Sequence, residues 1–334
     1  MKDTDAVTSA RYRRFAEVEA RGYSPLYDAW CTGISTDDDM LALLDTLSPA
    51  RRQPNLFLGA ARFLGVPLVD YIGFRSFVLD RWGDIRTIME TRSTQTNEAG
   101  RCAILLPSLA SIAAAEEKPL ALVEVGASAG ACLYPDRYAY SYSPGPFLEP
   151  QGGSPVPPIE CATSGEVPFP SALPRVVWRA GIDLNPLQAG NDDDDRWLAA
   201  LVWPEHGFRA ERLRAALGVV RADPPLLVRG DLNEQILPLV ARAPADAVVV
   251  VFHSAVLAYL DAAGRDRFRD TMLRLTADRA RSVHWLSHEG QGTLAGVTGA
   301  MERVPEERDG RFVLQHNGRG IARTGSHGQS LEWL

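Results

Sequence analysis

Five short apolar runs decide what this chain can fold into. LALVEVG (120–126), RVVWRAGID (175–183), PLLVRGD (225–231), DAVVVVFHS (246–254) and RSVHWLSHEG (281–290) each hold a few consecutive apolar residues and break off at small or polar ones. Runs this short, with no polar alternation, suit strands buried on both faces of a parallel sheet. Segments of helical character lie between them, at about 193–217, 233–243 and 255–280. Such alternation predicts a doubly wound α/β domain over residues 119–334, with a mostly parallel sheet of about seven strands.

Residues 1–118 read as a helical cap. Ser35 followed by Asp38 forms a capping box, and Met40, Leu41 and Leu44 then share a face. Pro54 suits a first helical turn, and Phe57, Ala61 and Leu64 follow at helical spacing. Ile85, Ile88 and Met89 form another stripe, as do Leu105, Leu109 and Ile112. Two stretches break the alternation further on. Residues 141–174 are rich in Pro, Gly and Ser and read as an irregular insertion with a small hairpin beginning at YAYSY. The tail, 293–334, reads as antiparallel strands closing one sheet edge. The acidic run Asp192–Asp195 marks a helix start, where carboxylates favour the dipole.

Composition excludes several classes. The 334 residues are 46% hydrophobic and 23% charged, as in ordinary globular proteins. No apolar run reaches the length of a bilayer span, and MKDTDAVTSARYRRF lacks a signal-peptide core, so a cytoplasmic protein without membrane contact is expected. The net charge of −7 and the absence of a basic stripe argue against nucleic acid. The four cysteines, Cys31, Cys102, Cys132 and Cys161, lie far apart with no zinc-type spacing; reduced, buried thiols and no metal are expected.

VEVGASAGAC (123–132) has two chemical readings. Gly126-Ala-Ser128-Ala-Gly130 fits the nucleophile elbow of a serine hydrolase, with Asp231 or Asp246 and then His284, His288 or His327 downstream. An elbow serine normally follows several strands and an upstream oxyanion loop; here the motif follows the first strand. The other reading is a strand ending in a loop of small residues, Gly126, Ala127, Ser128, Ala129 and Gly130, that lets backbone approach a nucleotide-like ligand. A purely structural tight turn is the third.

With VEVGASAG, AGIDLNP (180–186), RGDLNE (229–234) and VVVVFHSAV (248–256), the chain resembles the class I S-adenosylmethionine-dependent methyltransferases. The resemblance implies a Rossmann-like fold. It also implies that Glu124 orients the glycine loop and the methionine part of the cofactor, that Asp183 binds the ribose hydroxyls, and that Asp231 and Leu232 lie near the adenine. Asp183 lies 57 residues beyond Gly126, against about 20 in a compact dinucleotide unit, so the insertion must loop out. Over nearly the whole length, TRSTQTNEAGRCAILLPSL (91–109), VEVGASAGACLYPDRYAYSY (123–142) and VFHSAVLAYL (251–260) resemble a bacterial family known only as domain of unknown function 2332.

The remaining candidates are polar residues at run ends and in RSTQTNEAGR (92–101). Arg92, Gln95, Asn97, Glu98 and Arg101 are either a capped polar surface or a helical lid over substrate, with Arg92 or Arg101 suited to a bidentate carboxylate pair. His253 is either a general base or a buried structural histidine, and Ser254 beside it a substrate contact. Glu289, after His288, is the second candidate base. Asp136, Arg137 and Tyr138 read equally as a turn with an ion pair or as a site. Methyl transfer needs alignment and exclusion of water more than acid–base help. The leading expectation is therefore an S-adenosylmethionine-dependent methyltransferase of a small molecule. The alternatives are a non-catalytic S-adenosylmethionine or nucleotide binder, and a serine hydrolase using Ser128.

Overall fold

The computed structural model describes residues 2–293 and 311–334. The chain forms two compact units, Met1–Thr96 with Asn191–Arg214, and Asn97–Gly190 with Ala215–Leu334.

The first unit is helical. It holds α1 (Lys2–Arg14), α2 (Pro25–Ile34), α3 (Asp38–Asp45), α4 (Pro54–Phe63), α5 (Tyr71–Thr91) and the helix Asp192–Leu201, which is α7 in chain order. Pro54 opens α4 and the four aspartates open α7, both as expected; Asn191 caps α7. The cap of α3 is Asp37, not Ser35: Asp37 accepts from Met40 N at 3.1 Å. Ser35 is still in helical backbone, closing α2 with its N–H on Cys31 O. Trp30 stacks on Phe74 with centroids 4.2 Å apart, and Phe57 meets Phe74 edge-on at 5.8 Å. Helices this short depend on such a shared aromatic core rather than on intrinsic propensity.

The second unit is a mixed α/β sheet unit, mostly parallel. All five apolar runs are strands: β1 (Leu120–Val125), β5 (Val176–Asp183), β6 (Leu226–Arg229), β7 (Val248–Ser254) and β8 (Val283–Gly290). They pair in parallel in the order β8-β7-β1-β5-β6. Among the described residues the sheet has eleven strands, not about seven. The insertion is the main reason, because it supplies β2 (Tyr140–Ser143), β3 (Phe147–Leu148) and β4 (Ile159–Ser164). Of these, only the hairpin β2–β3 was legible in the sequence. The tail supplies β9 (Phe312–His316), β10 (Arg319–Thr324) and β11 (Ser330–Trp333). Its strands do not close an edge. β9 runs antiparallel to β8, β10 to β9 and β11 to β10, and β11 then pairs in parallel with β4, so the edge is β3. The expected tail segment 294–310 lies outside the described residues.

The two faces of β1 divide the core. Leu120 and Leu122 join α6 (Cys102–Glu116) and the buried Tyr134, Tyr138, Tyr140 and Tyr142. Ala121, Val123 and Val125 join the other layer, which includes α9 (Leu232–Ala241) and α10 (Ala262–Ala277). α6 is apolar nearly all round because it is covered nearly all round. The stretch Ala99–Glu116 is long and apolar enough to cross a bilayer, yet 72% of it is buried inside the protein. Since α6 belongs with the sheet, the helical unit ends at Thr96 rather than at residue 118.

Among the five parallel strands, the order runs from β1 outward through β5 to β6, then crosses to the other side of β1 for β7 and β8. In open parallel sheets ligands bind beyond the carboxyl ends of the strands at such a reversal, which here lies between β1 and β7.

Candidate functional site at the carboxyl ends of the parallel strands

Strand register brings the sequence candidates level with one another. Val125 lies beside Ile182 and His253, Asp183 beside Arg229, and Ser254 beside His288. Alternation then separates them by face. Glu124, Ser254 and His288 share the α6 side with Leu122, Phe252 and Leu286; His253 and Glu289 share the α9–α10 side with Val251 and Trp285.

The loop after β1 has positive φ at Gly126 (+74°), Ser128 (+52°) and Gly130 (+84°). The glycines take it without strain; Ser128 does not, and is held there. Its N–H donates to Asp183 Oδ2 at 2.8 Å, while Asp183 Oδ1 accepts from Asn185 N at 2.7 Å. Gly126 N and Ala127 N both donate to Ile182 O, at 2.8 and 3.1 Å. A side chain at Gly126 would collide with Val256 Cγ2, and one at Gly130 would stand 3.0 Å from Pro225 Cγ. These glycines therefore serve close internal packing as well as the turn.

Among the described residues, three polar atoms around this loop are buried without a hydrogen-bond partner: Glu124 Oε2, Ser128 Oγ and Asn97 Nδ2. Asn97 is anchored to the loop by its other end, where Oδ1 accepts from Ala131 N at 3.0 Å. Burial, and next the Cys132 thiol, push the Glu124 carboxyl well above the usual glutamate range; Arg101 pulls the other way and Asp183 adds to the rise. A buried acid with an empty oxygen is costly unless something else completes it.

His253 and Glu289 form one unit. Nδ1 of His253 is 2.8 Å from Glu289 Oε1, which also accepts from Val256 N (2.9 Å) and Leu257 N (3.0 Å). Trp285 Nε1 donates to His253 Nε2 at 3.1 Å. That bond fixes the tautomer: Nδ1 carries the proton and gives it to Glu289. His253 is completely buried with both nitrogens engaged, an arrangement that braces the turn after β7 and leaves no open lone pair for a base. Glu289 Oε2 is buried and unpartnered.

The other candidates are placed as follows. Asp231 caps α9, accepting from Asn233 N at 2.8 Å, and Leu232 is buried in the α9 layer. Glu98 accepts from Gly100 N at 3.0 Å, capping the turn Ala99–Arg101. Arg101 Nε donates to Ser326 O at 3.0 Å and Nη1 to Ser254 O at 3.3 Å, so it meets carbonyls rather than a carboxylate. Arg92 and Gln95 belong to the helical unit. There Arg92 pairs with Asp193 and Asp194 and lies over the Phe63 and Trp197 rings. Asp136 pairs with Arg179 at 2.7 Å, the ion-pair reading of that turn. The four cysteines are free and buried. Among the described residues no cluster of His, Cys, Asp and Glu could hold a metal ion. No base contacts Ser128 Oγ.

Sequence reasoning passed over Thr324, Trp285 and, as partner of Ser254, His288. Their positions follow from strand register, which a run of apolar residues does not encode.

A family model described as an uncharacterized protein conserved in bacteria matches residues 9–67 and 71–333. No curated protein matches the chain.

Proposed function

The chain belongs to that bacterial family, domain of unknown function 2332, and on the geometry of its strand ends we propose that it binds S-adenosylmethionine there and methylates a small molecule. The observation that carries this reading is the trio of unpartnered buried atoms around the loop after β1. Glu124 Oε2 is an acceptor, Asn97 Nδ2 a donor, and Ser128 Oγ either. An amino-acid zwitterion complements that set: its ammonium suits Glu124, and its carboxylate suits Asn97 and Ser128. Asp183, at the end of β5, is the residue we assign to the ribose hydroxyls; it also fixes Ser128. Asp231 and Leu232 begin α9 beside them. The Rossmann-like reading of the fold draws on the reversal between β1 and β7.

When bound, the cofactor supplies an electrophilic methyl group. The protein binds the amino-acid part, lets Glu124 ionise against a cation, and orients the ligand over a loop whose own N–H groups are already fixed. The closure of both His253 nitrogens favours the second reading, a binder without catalysis; transfer of labelled methyl from the cofactor into a metabolite extract separates the two. Calorimetry tests the binding itself. We expect both S-adenosylmethionine and S-adenosylhomocysteine to bind, and Glu124→Gln to weaken binding at least tenfold, about 1.4 kcal/mol or more. No heat of binding at millimolar ligand would sink the proposal.

A further inference from the structure

A second polar cluster at the strand ends plays no part in that reading. Ser254 ends β7, and its Oγ is hydrogen-bonded to Nδ1 of His288 in β8. Nε2 of His288 meets Thr324 Oγ1 at 2.8 Å, and Thr324 Oγ1 lies 3.4 Å from Phe312 O. A carbonyl oxygen only accepts, which gives the series one direction. Thr324 donates to Phe312 O, so its oxygen accepts from the Nε2–H of His288. Nδ1 is then bare and accepts the Ser254 proton. Burial first, and then the charge of Arg101, push the His288 ring well below the ordinary histidine range, which keeps it neutral and able to accept.

The surroundings fit an activated hydroxyl. His288 and Thr324 are 0% exposed, whereas Ser254 keeps 9% exposure. Ala255 turns the chain sharply after it, with φ +58° and its N–H on His288 O at 3.0 Å. Arg101 sets a guanidinium beside the serine through its bond to Ser254 O. Ser128, the serine inside the G-x-S-x-G string, has no such base.

We propose that Ser254 is a serine nucleophile, with His288 as its base and Thr324 as the residue that sets the imidazole tautomer, acting on carboxylic esters. Ser254 Oγ attacks the ester carbonyl carbon as its proton passes to His288 Nδ1. The bond from that carbon to the alcohol oxygen breaks, and the alcohol leaves with the proton. Water then attacks the acyl–Ser254 ester, its proton travels through His288 back to Ser254 Oγ, and the acid departs. Ester and water become acid and alcohol. The positive charge of Arg101 opposes the negative charge that builds on the carbonyl oxygen. This activity does not depend on cofactor binding.

The test is covalent labelling of the full chain with an alkyl fluorophosphonate, mapped by peptide mass spectrometry, alongside hydrolysis of p-nitrophenyl acetate. One adduct is expected, on Ser254, with fluoride released. Ser254→Ala abolishes it, and His288→Gln slows it at least a hundredfold. Because His288→Gln also removes a buried partner that the fold uses, Thr324→Val is the second variant; it keeps the base, frees its tautomer and slows labelling about tenfold. An unlabelled wild type, an adduct on any other residue, or an unchanged rate in Thr324→Val overturns the proposal.

Discussion

At the scale of single residues, two buried titratable groups on the same face pull stability in opposite directions with pH. Glu124 has a folded pKa raised by burial and by its neighbours Cys132 and Asp183, against Arg101. Its contribution is therefore full below the unfolded glutamate value, about 4.3, and is lost as pH rises toward the folded value. His288 has a lowered folded pKa, so its contribution is present above about 6.5 and is lost as the medium becomes more acidic. Thermal melts between pH 5 and 9 should show Glu124→Gln gaining on the wild type steadily as pH rises. A constant difference in Tm across that range would mean that Glu124 is not the strained acid described. The sequence marked Ser254 and Glu289 as candidates because each ends an apolar run, and Glu124 through the methyltransferase resemblance of VEVGASAG. It could not mark who touches whom: His253 with Glu289, and Ser254 with His288, are cross-strand neighbours set by register.

At the scale of elements, the loop after β1 depends on a contact that no local pattern reveals. Gly126 combines a positive φ with a packed face, since a Cβ there would collide with Val256. Gly126→Ala should cost about 2–4 kcal/mol in denaturant unfolding, from overpacking and backbone strain together. Adding Val256→Ala should recover about 1 kcal/mol or more of it, the steric share. Strict additivity of the two changes would show that the contact carries no energy. The apolar runs were legible because burial on both faces leaves no room for polar residues. The segment 193–217 was not, because it is two helices: α7 stops at Leu201 and α8 (Gly207–Ala222) begins after Pro204, which lacks the N–H a helix interior needs. The strand Ile159–Ser164 escaped notice because half of its side chains are polar and half face outward.

At the scale of the molecule, parallel pairing of β1, β5, β6, β7 and β8 follows from strand–helix alternation, whereas their order β8-β7-β1-β5-β6 and the route of the tail do not. β9, β10 and β11 lie inside the sheet, with Leu314, Ala322 and Leu331 in its core. A chain ending at Gly310 should therefore lose its cooperative thermal transition and bind a hydrophobic dye. If it melts like the full chain, the tail is an accessory to the fold.

The position of those three strands also dictates an order of assembly. The group β3-β2-β4 and the five parallel strands are each made earlier in sequence, and each presents a bare edge to the other. Among the described residues, 312–333 supply the strands between them, and the last seam joins Ala162 to Ser330. Closing so long a loop is slow, and open edges recruit other chains meanwhile. The hazard of misassembly is thus concentrated in the interval before the final strand is seated.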